Sequence, residues 1–590
     1  MPYLYLRYLL FTFCFSYAQS KIIQGVIQDQ SNKVIPGVNI ICYPSQKGTQ
    51  SDDYGRFSLS PLESDTGMFC EHIGYTKKKI KLELIQDDLI ITLKKKVLDM
   101  DSLEVIAKDR TLFNVFYDRN NVINLKMTEL SLRGFTDLGD ALFLEQSVLL
   151  NETINGQKNI SIRASAPGEL AVLLDGVRIN RLSNPLLDLS MYSESSFSEL
   201  ELVKGPHEKG LSSSGTINLI PKNSYRKSFL FNQKFGTYNY GDYQILGSLG
   251  NKKVAINSGF SQGQSSQLYF GEKFPEIQNY QKNIFINMGL KVIKNYEFKI
   301  LNLDSEKKYK DARTGDSLST HNHNNILKMI YSNQSIFKMV LYRLTQISKG
   351  YEENQLSLLV KEDRNQSFGF ELEKKIKGAT IRFTNETSNP KVKWVENGKS
   401  ISVIRKLHNF TGSFEVNNSP KKKDTFVKDI KFLFGKCILK DSKENNQYPN
   451  FQANSSSLTN SLLTASLISK QLDRNILLYA NIGNAFRVPS LSELIINQTQ
   501  ELIPATSPIR PEKKMTFELG SKLENHSPSI DRLYSLTLSF FKYQYVDKIK
   551  HLHFSGSPQK YPINIGNASL SGIDSRFSLE PKKEWLSYTS

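Results

Sequence analysis

Cysteine is scarce in this chain: four residues among 590, of which Cys14 lies in an apolar N-terminal stretch. No CxxC pair and no Cys/His spacing of the zinc-site kind occurs, so no structural metal is expected. Long apolar runs are missing too. Beyond the N-terminus nothing approaches the roughly 18 apolar residues of a membrane-spanning helix, although 39% of all residues are apolar. That excludes a helical membrane protein and leaves two classes open. A secreted soluble protein fits. So does a transmembrane barrel, whose strands alternate faces and never build a long apolar run.

Signatures of catalysis are absent as well. There is no nucleophile elbow, HExxH, Walker loop or paired-acid pattern, so neither an enzyme nor a cofactor is expected. The formal charge is +18, but no basic stripe or nucleic-acid-binding motif gathers it, which argues against a nucleic-acid partner. Two readings of the charge remain. One is a lysine-rich composition with solvated faces; the other is attraction to anionic ligands or lipid head groups. Two HxH pairs, His321 with His323 and His551 with His553, would each share a strand face. No third ligand is identifiable beside either pair, so neither is read as a metal site.

What is present divides the chain into five parts. Residues 1–18 have the form of a secretory signal: Arg7 and the amino terminus, an apolar core from Leu9 to Phe15, then Ser16-Tyr17-Ala18 ending in a small residue. Residues 19–95 read as a small all-β domain. GVIQDQSNKVIPGVNI is strand, turn, strand, and Asp52 and Asp53 stand where aspartate side chains stabilise a turn. Cys42 and Cys70 share this domain, either as a disulfide of an oxidising compartment or as buried free thiols. Residues 96–110 form a polar connector. Residues 111–222 read as an α+β domain, with an amphipathic helix over Phe135 to Leu150 whose apolar face is Leu138, Ala141, Leu142 and Leu144. The Asp175-Gly176 dipeptide marks a tight turn.

From residue 223 onward the chain alternates with period two. Tyr243, Ile245, Gly247 and Leu249 share a face opposite Gln244 and Ser248. Ile284, Ile286, Met288, Leu290 and Val292 do the same against Asn287, Gly289 and Lys291. Strands of about 10 residues joined by short polar turns are the pattern of a membrane barrel. The longer polar stretches Lys308 to Asn325 and Lys440 to Ser457 are expected to be loops on its outer side.

Six stretches in one order carry a resemblance. They are LLDGVRIN (Leu173 to Asn180), LELVKGP (Leu200 to Pro206), GLSSSGTINLIPK (Gly210 to Lys222), AFRVPSLSELI (Ala485 to Ile495), RPEKKMTFELGSKLE (Arg510 to Glu524) and YPINIGNASLSGIDSRFSLEP (Tyr561 to Pro581). Together they resemble the TonB-dependent receptors, and residues 19–95 resemble the carboxypeptidase-regulatory-like domain found ahead of the plug in Bacteroidetes-type members. The implied fold is mainly β: a small N-terminal β-sandwich, an α+β plug and a large antiparallel transmembrane β-barrel.

The resemblance implies a plug signature at Arg163, Asp175, Gly176, Arg178, Lys204, Gly205, Pro206, Gly210 and Gly215. It implies a barrel signature at Arg487, Pro489, Ser490, Glu493, Pro511, Glu512, Glu518 and Gly520. Ala164 stands where the family has glycine. Leu103, Glu104, Val105, Ile106 and Ala107 look like the family's TonB box, which pairs by strand addition and so makes loose demands on side chains; an ordinary linker strand is the other reading.

The implied activity is energised uptake across the outer membrane of a Gram-negative bacterium. Its implied partners are TonB in the periplasm, outer-membrane lipid and a scarce ligand: a ferric siderophore first, cobalamin or haem as alternatives. A surface receptor without transport and a non-functional truncated product are the rival readings. Plugged transporters close at about 22 strands, and the chain stops at Ser590 where a strand still runs. Several strands, and a terminal aromatic residue, are therefore expected to be missing.

Overall fold

The structure is a computed structural model. It describes residues 22–72, 74–82, 89–94, 122–127, 137–143, 145, 147–153, 155–163, 165–181, 186–204, 214–268, 276–291, 293–333, 336–355, 357–417, 427–446, 452–453, 455–470, 474–499, 508–525, 532–553 and 560–581. The chain divides into two compact units, Met1–Asp109 and Arg110–Ser590.

The first unit is a two-sheet β-domain. Its strands are β1 (Ile23–Asp29), β2 (Asn39–Tyr43), β3 (Gly48–Gln50), β4 (Arg56–Leu59), β5 (Gly67–Glu71), β6 (Lys78–Lys81) and β7 (Leu89–Leu93). One sheet runs β4-β1-β7 and the other β3-β2-β5-β6. Alternate residues close a dry core of Ile27, Val38, Ile40, Cys42, Met68, Cys70 and Leu93. Asp52 makes the expected turn. Its Oδ1 accepts the backbone N–H groups of Tyr54 and Arg56 at 2.9 and 2.7 Å, and Gly55 takes a φ of +70°. Cys42 and Cys70 are both buried free thiols, so the disulfide reading fails. In the β2–β5 register Cys42 faces Met68 and Cys70 faces Ile40, two positions out of step. Burial pushes the Cys70 thiol up to about 11.

The second unit sets a small inner domain against a large sheet. The inner domain holds β8 (Val122–Lys126), helix α1 (Leu138–Phe143), β9 (Val148–Glu152), β10 (Lys158–Ile162), β11 (Leu170–Leu174), β12 (Val177–Arg178), β13 (Phe197–Lys204) and β14 (Gly215–Pro221). Its main sheet runs β12-β11-β14-β13-β8. The helix is far shorter than Phe135 to Leu150. Leu138, Ala141 and Leu142 are buried as expected, while Leu144 lies outside the described residues. Beyond Phe143 a tertiary pairing overrides the helical period: Val148 pairs with Ile162 across β9 and β10.

Among the described residues the large sheet has 17 antiparallel strands, from Ser228–Phe235 to Ala568–Pro581. Each pairs with its neighbour in sequence until the hairpin Ile549–His553/Lys560–Asn564, except that Ala379–Ser388 and Lys391–Glu396 both lie between Leu358–Ile376 and Lys399–Asn417. Among the described residues no pairing joins the first of these strands to the last. Pro390 offers no N–H to a ladder, and it separates Ala379–Ser388 from Lys391–Glu396 within one stave. The sheet inverts the usual burial rule. Asn257, Ser261, Asn283 and Asn287 are buried on its inner face, while Tyr243, Ile245, Leu249 and Ile284 are exposed on its outer face.

Strands run to 20 residues, or about 66 Å at 3.3 Å per residue, well beyond a ~25 Å apolar band even when tilted. This corrects the first loop expectation and the second in part, since residues 447–451 and 454 lie outside the described residues. Residues 308–325 are the ends of strands Tyr296–Asp311 and Asp316–Asn333, and Lys440 lies inside strand Val427–Asn446, with Ser455 opening the next. Toward these strand ends the outward residues, such as Lys308, Lys310, Ser319 and His321, are polar, so the apolar half of the outer-face alternation is lost.

Candidate functional site

The seam between inner domain and sheet is where the sequence's two signatures meet. Arg163 ends β10 in a left-handed turn, φ +52°, which aims its side chain out of the inner domain. Its Nη2 donates to Glu518 Oε1 at 2.7 Å and to Ser539 Oγ at 3.3 Å, its Nη1 to Tyr543 Oη at 2.8 Å, and its Nε to Asp574 Oδ2 at 2.8 Å. The guanidinium also lies 4.5 Å from the Phe541 ring centre. Burial by itself lowers the Arg163 pKa, but Tyr543, Glu518 and Asp574 outweigh it and hold the group above the usual arginine value. Lys204 on β13 approaches the same Asp574 at 3.9 Å and Glu145 at 3.8 Å.

Gly520 explains itself beside this cluster. A Cβ there would lie 2.2 Å from Tyr479 Cζ. Without it, the tyrosine lies across the strand and its hydroxyl donates to Glu518 Oε1 at 3.5 Å, while Asn481 Nδ2 holds Oε2 at 3.1 Å.

A second cluster forms around Glu169, in the single turn Pro167–Glu169. Lys548 Nζ donates to Glu169 Oε1 at 2.6 Å and Tyr545 Oη to Oε2 at 3.3 Å. Burial raises the Glu169 pKa, and Lys548 and Lys514 reverse this, leaving it below the usual carboxylate value. Arg487 reaches the Gly168 carbonyl at 3.4 Å and binds Glu493 at 2.5 Å. Ser490 and Glu493 open helix α2 (Leu491–Thr499) as a capping box: Ser490 N–H donates to Glu493 Oε2 at 2.8 Å, and Glu493 N–H returns to Ser490 Oγ at 3.2 Å. Pro489 offers its carbonyl to Arg405 Nη1 at 2.6 Å. Glu512, next to Pro511, accepts Ile549 N–H at 3.0 Å and so anchors the hairpin.

The third cluster is Asp175. Asp175 and Gly176 take φ of +50° and +81°, a turn matched to its flanking strands, and Gly176 N–H is held by Asn218 Oδ1 at 2.9 Å. The carboxylate projects to Lys299 at 3.2 Å and Lys328 at 3.1 Å. Burial opposes the charge, but the two ammoniums win and lower the Asp175 pKa to about 2. Arg178, two residues on, has Nε and Nη1 buried with no partner among the described residues. Gly215 leaves no room for a side chain, since a Cβ would stand 2.7 Å from the Val203 carbonyl.

Of the expected residues, Arg163 and Glu518 are brought into direct contact, and Arg487, Ser490 and Glu493 into one network. Gly205, Pro206, Gly210, Ala164 and the whole 103–107 segment lie outside the described residues. Sequence reasoning missed Glu169, Ser539, Tyr543, Lys548 and Asp574. The signal for Ser539, Phe541, Tyr543 and Tyr545 was present as alternation, all four being on the inner face. His321 and His323 are on a strand, each against Asp304.

These elements make a β-barrel wall enclosing a side-chain-anchored inner domain. Residues 23–105 match the CarboxypepD_reg-like domain, and residues 440–590 match the family described as TonB dependent receptor-like, beta-barrel. The chain thus resembles the TonB-dependent receptors, a family of transporters rather than enzymes, in the segment 440–590 and in fold. No curated protein matches it. Among solved structures it is similar to the copper transporter OprC, with 14% identity, a TM-score of 0.62, and 79% of this chain and 77% of that one covered. It is also similar to the Serratia marcescens hemophore receptor HasR, at 11%, 0.58, 79% and 80%. The Acinetobacter baumannii ferric preacinetobactin receptor BauA gives 12%, 0.58, 78% and 76%. At these identities the likeness speaks for the fold alone.

Proposed function

We propose that the chain is a TonB-dependent outer-membrane receptor for energised uptake of a scarce ligand, a ferric chelate before haem or cobalamin. Residues 223–590 cross the bilayer, residues 111–222 are the plug, and residues 19–95 face the periplasm behind a signal at 1–18. Leu103 to Ala107 pair with TonB by strand addition. Ferric-chelate and siderophore receptors recur among the similar structures, which supports that ligand class.

The observation that carries this reading is how the inner domain is fastened. Among the described residues no strand of it pairs with the large sheet; side chains such as Arg163, Glu169 and Asp175 make the polar attachment. A domain held by side chains can leave and return without breaking a backbone ladder. Leu103→Pro or Val105→Pro removes a backbone donor from the coupling segment. Each should abolish uptake of radio-iron from the chelate that the cells use, with surface binding of that chelate intact. Unchanged uptake in both variants would place coupling elsewhere.

A further inference from the structure

The outer wall of the sheet carries a hollow that the uptake reading does not use. It measures about 690 Å³, within the 300–1,000 Å³ usual for small-molecule sites. It opens outward: Phe298, Leu327, Leu341 and Phe368 line it and are 37%, 40%, 37% and 52% exposed. Across the strands the register runs Ile300–Leu327–Arg343–Phe368–Thr387. The next outward-facing row toward the polar strand ends is Asn302–Asn325–Thr345–Gln366, without an apolar side chain. The hollow therefore sits where outward-facing apolar residues thin out, with Ile347 exposed two rows beyond Arg343.

Arg343 stands at that edge. Its guanidinium lies 5.7 Å from the Phe368 ring centre. It has no carboxylate partner among the described residues, and the nearby Asp304 is engaged by His321 and His323. An apolar hollow capped by one unpaired cation has the chemistry of a lipid with a negative head.

We propose that this hollow is a site for one anionic glycerophospholipid of the surrounding bilayer, an acyl chain in the hollow and the phosphate on Arg343. The site rests on the reading of the sheet as a membrane barrel. The chain fills the hollow where void would forfeit dispersion contacts, and the phosphate gives Arg343 the partner that the protein withholds.

The test is native mass spectrometry of the full chain in detergent, titrated with phosphatidylglycerol and separately with phosphatidylcholine. One equivalent of phosphatidylglycerol should bind at least about tenfold more tightly than phosphatidylcholine. Arg343→Gln should weaken it about five-fold, the value of one interfacial cation, with little effect on phosphatidylcholine. Leu327→Trp, which fills the hollow from an exposed position, should weaken both lipids. Equal affinity for the two lipids overturns the site, as does unaltered phosphatidylglycerol binding in both variants or a lipid-free dimer. A chain that remains soluble without detergent is a different result: it removes the membrane reading and the site with it.

Discussion

The inner domain meets two unlike walls. Against the early strands, Gly241–Gly250 to Phe337–Glu353, it shares an apolar cluster: Leu246, Phe285, Leu301, Leu303, Ile326 and Val340 pack with Leu138, Leu189 and Met191. Buried ion pairs, Lys307–Asp188 at 3.2 Å and Asp175 with Lys299 and Lys328, accompany that packing. Against the late strands, Arg474–Arg487 to Ala568–Pro581, no described residue joins the cluster. Contact there is Arg163 with Glu518 and Asp574, and Glu169 with Lys548. Apolar packing is non-directional and tolerates small shifts. Charged hydrogen bonds demand their geometry, and a buried charge that loses its partner is costly. The early wall is thus a seat and the late wall a latch.

Breaking the latch should have the largest effect. Glu518→Ala leaves Arg163 buried with one carboxylate removed and should cost about 3–5 kcal/mol. On the seat, Leu301→Ala should cost roughly 2–5 kcal/mol by the cavity it leaves, without a change in charge. Urea unfolding in detergent, followed by heat-modifiable migration, measures both. Added formate or acetate, which replaces the lost carboxylate beside Arg163, should restore part of the loss in Glu518→Ala and leave Leu301→Ala unchanged; an equal response of the two would erase the distinction.

A smaller effect belongs to pH. Asp175 has its pKa lowered to about 2 by Lys299 and Lys328, against 3.8 ordinarily. A depressed carboxylate contributes stability that is fully present above its unfolded value and is lost as pH falls through its folded one. The contribution should be roughly 2 kcal/mol, fading between about pH 4 and 2. Asp175→Asn should flatten this part of the profile, and an unaltered acid profile in that variant would show that another group carries it. Smallest is Ser490→Ala, which removes the α2 cap and should cost about 1 kcal/mol, read as loss of exchange protection at the start of α2 alone.

Much of this was legible in the chain. Outward Tyr243, Ile245 and Leu249 declared the sheet because they alternate with inward Gln244, Leu246 and Ser248 at the period of a strand. Arg163 and Glu518 were each marked by a motif, yet their contact spans 355 residues of sequence, and no local period reports such a distance. Glu169 and Lys548 went unseen for the same reason: an isolated charge on a turn looks solvated until the wall opposite it is known. The helix over Phe135 to Leu150 was over-read because β9 finds its partner in β10. The loops were over-read because the outward residues of the long strand ends are polar, and the alternation by which strands are recognised is lost there.

The claim that seat and latch are separate is tested most directly by hydrogen exchange, read by mass spectrometry on folded Glu518→Ala and Leu301→Ala. The account predicts that Glu518→Ala loses protection around Ile162–Glu169 and keeps it around Leu189–Ser196, with the reverse for Leu301→Ala. Loss of protection over both segments in both variants would contradict it, and would mean that the inner domain is released as one body from a single, undivided seam.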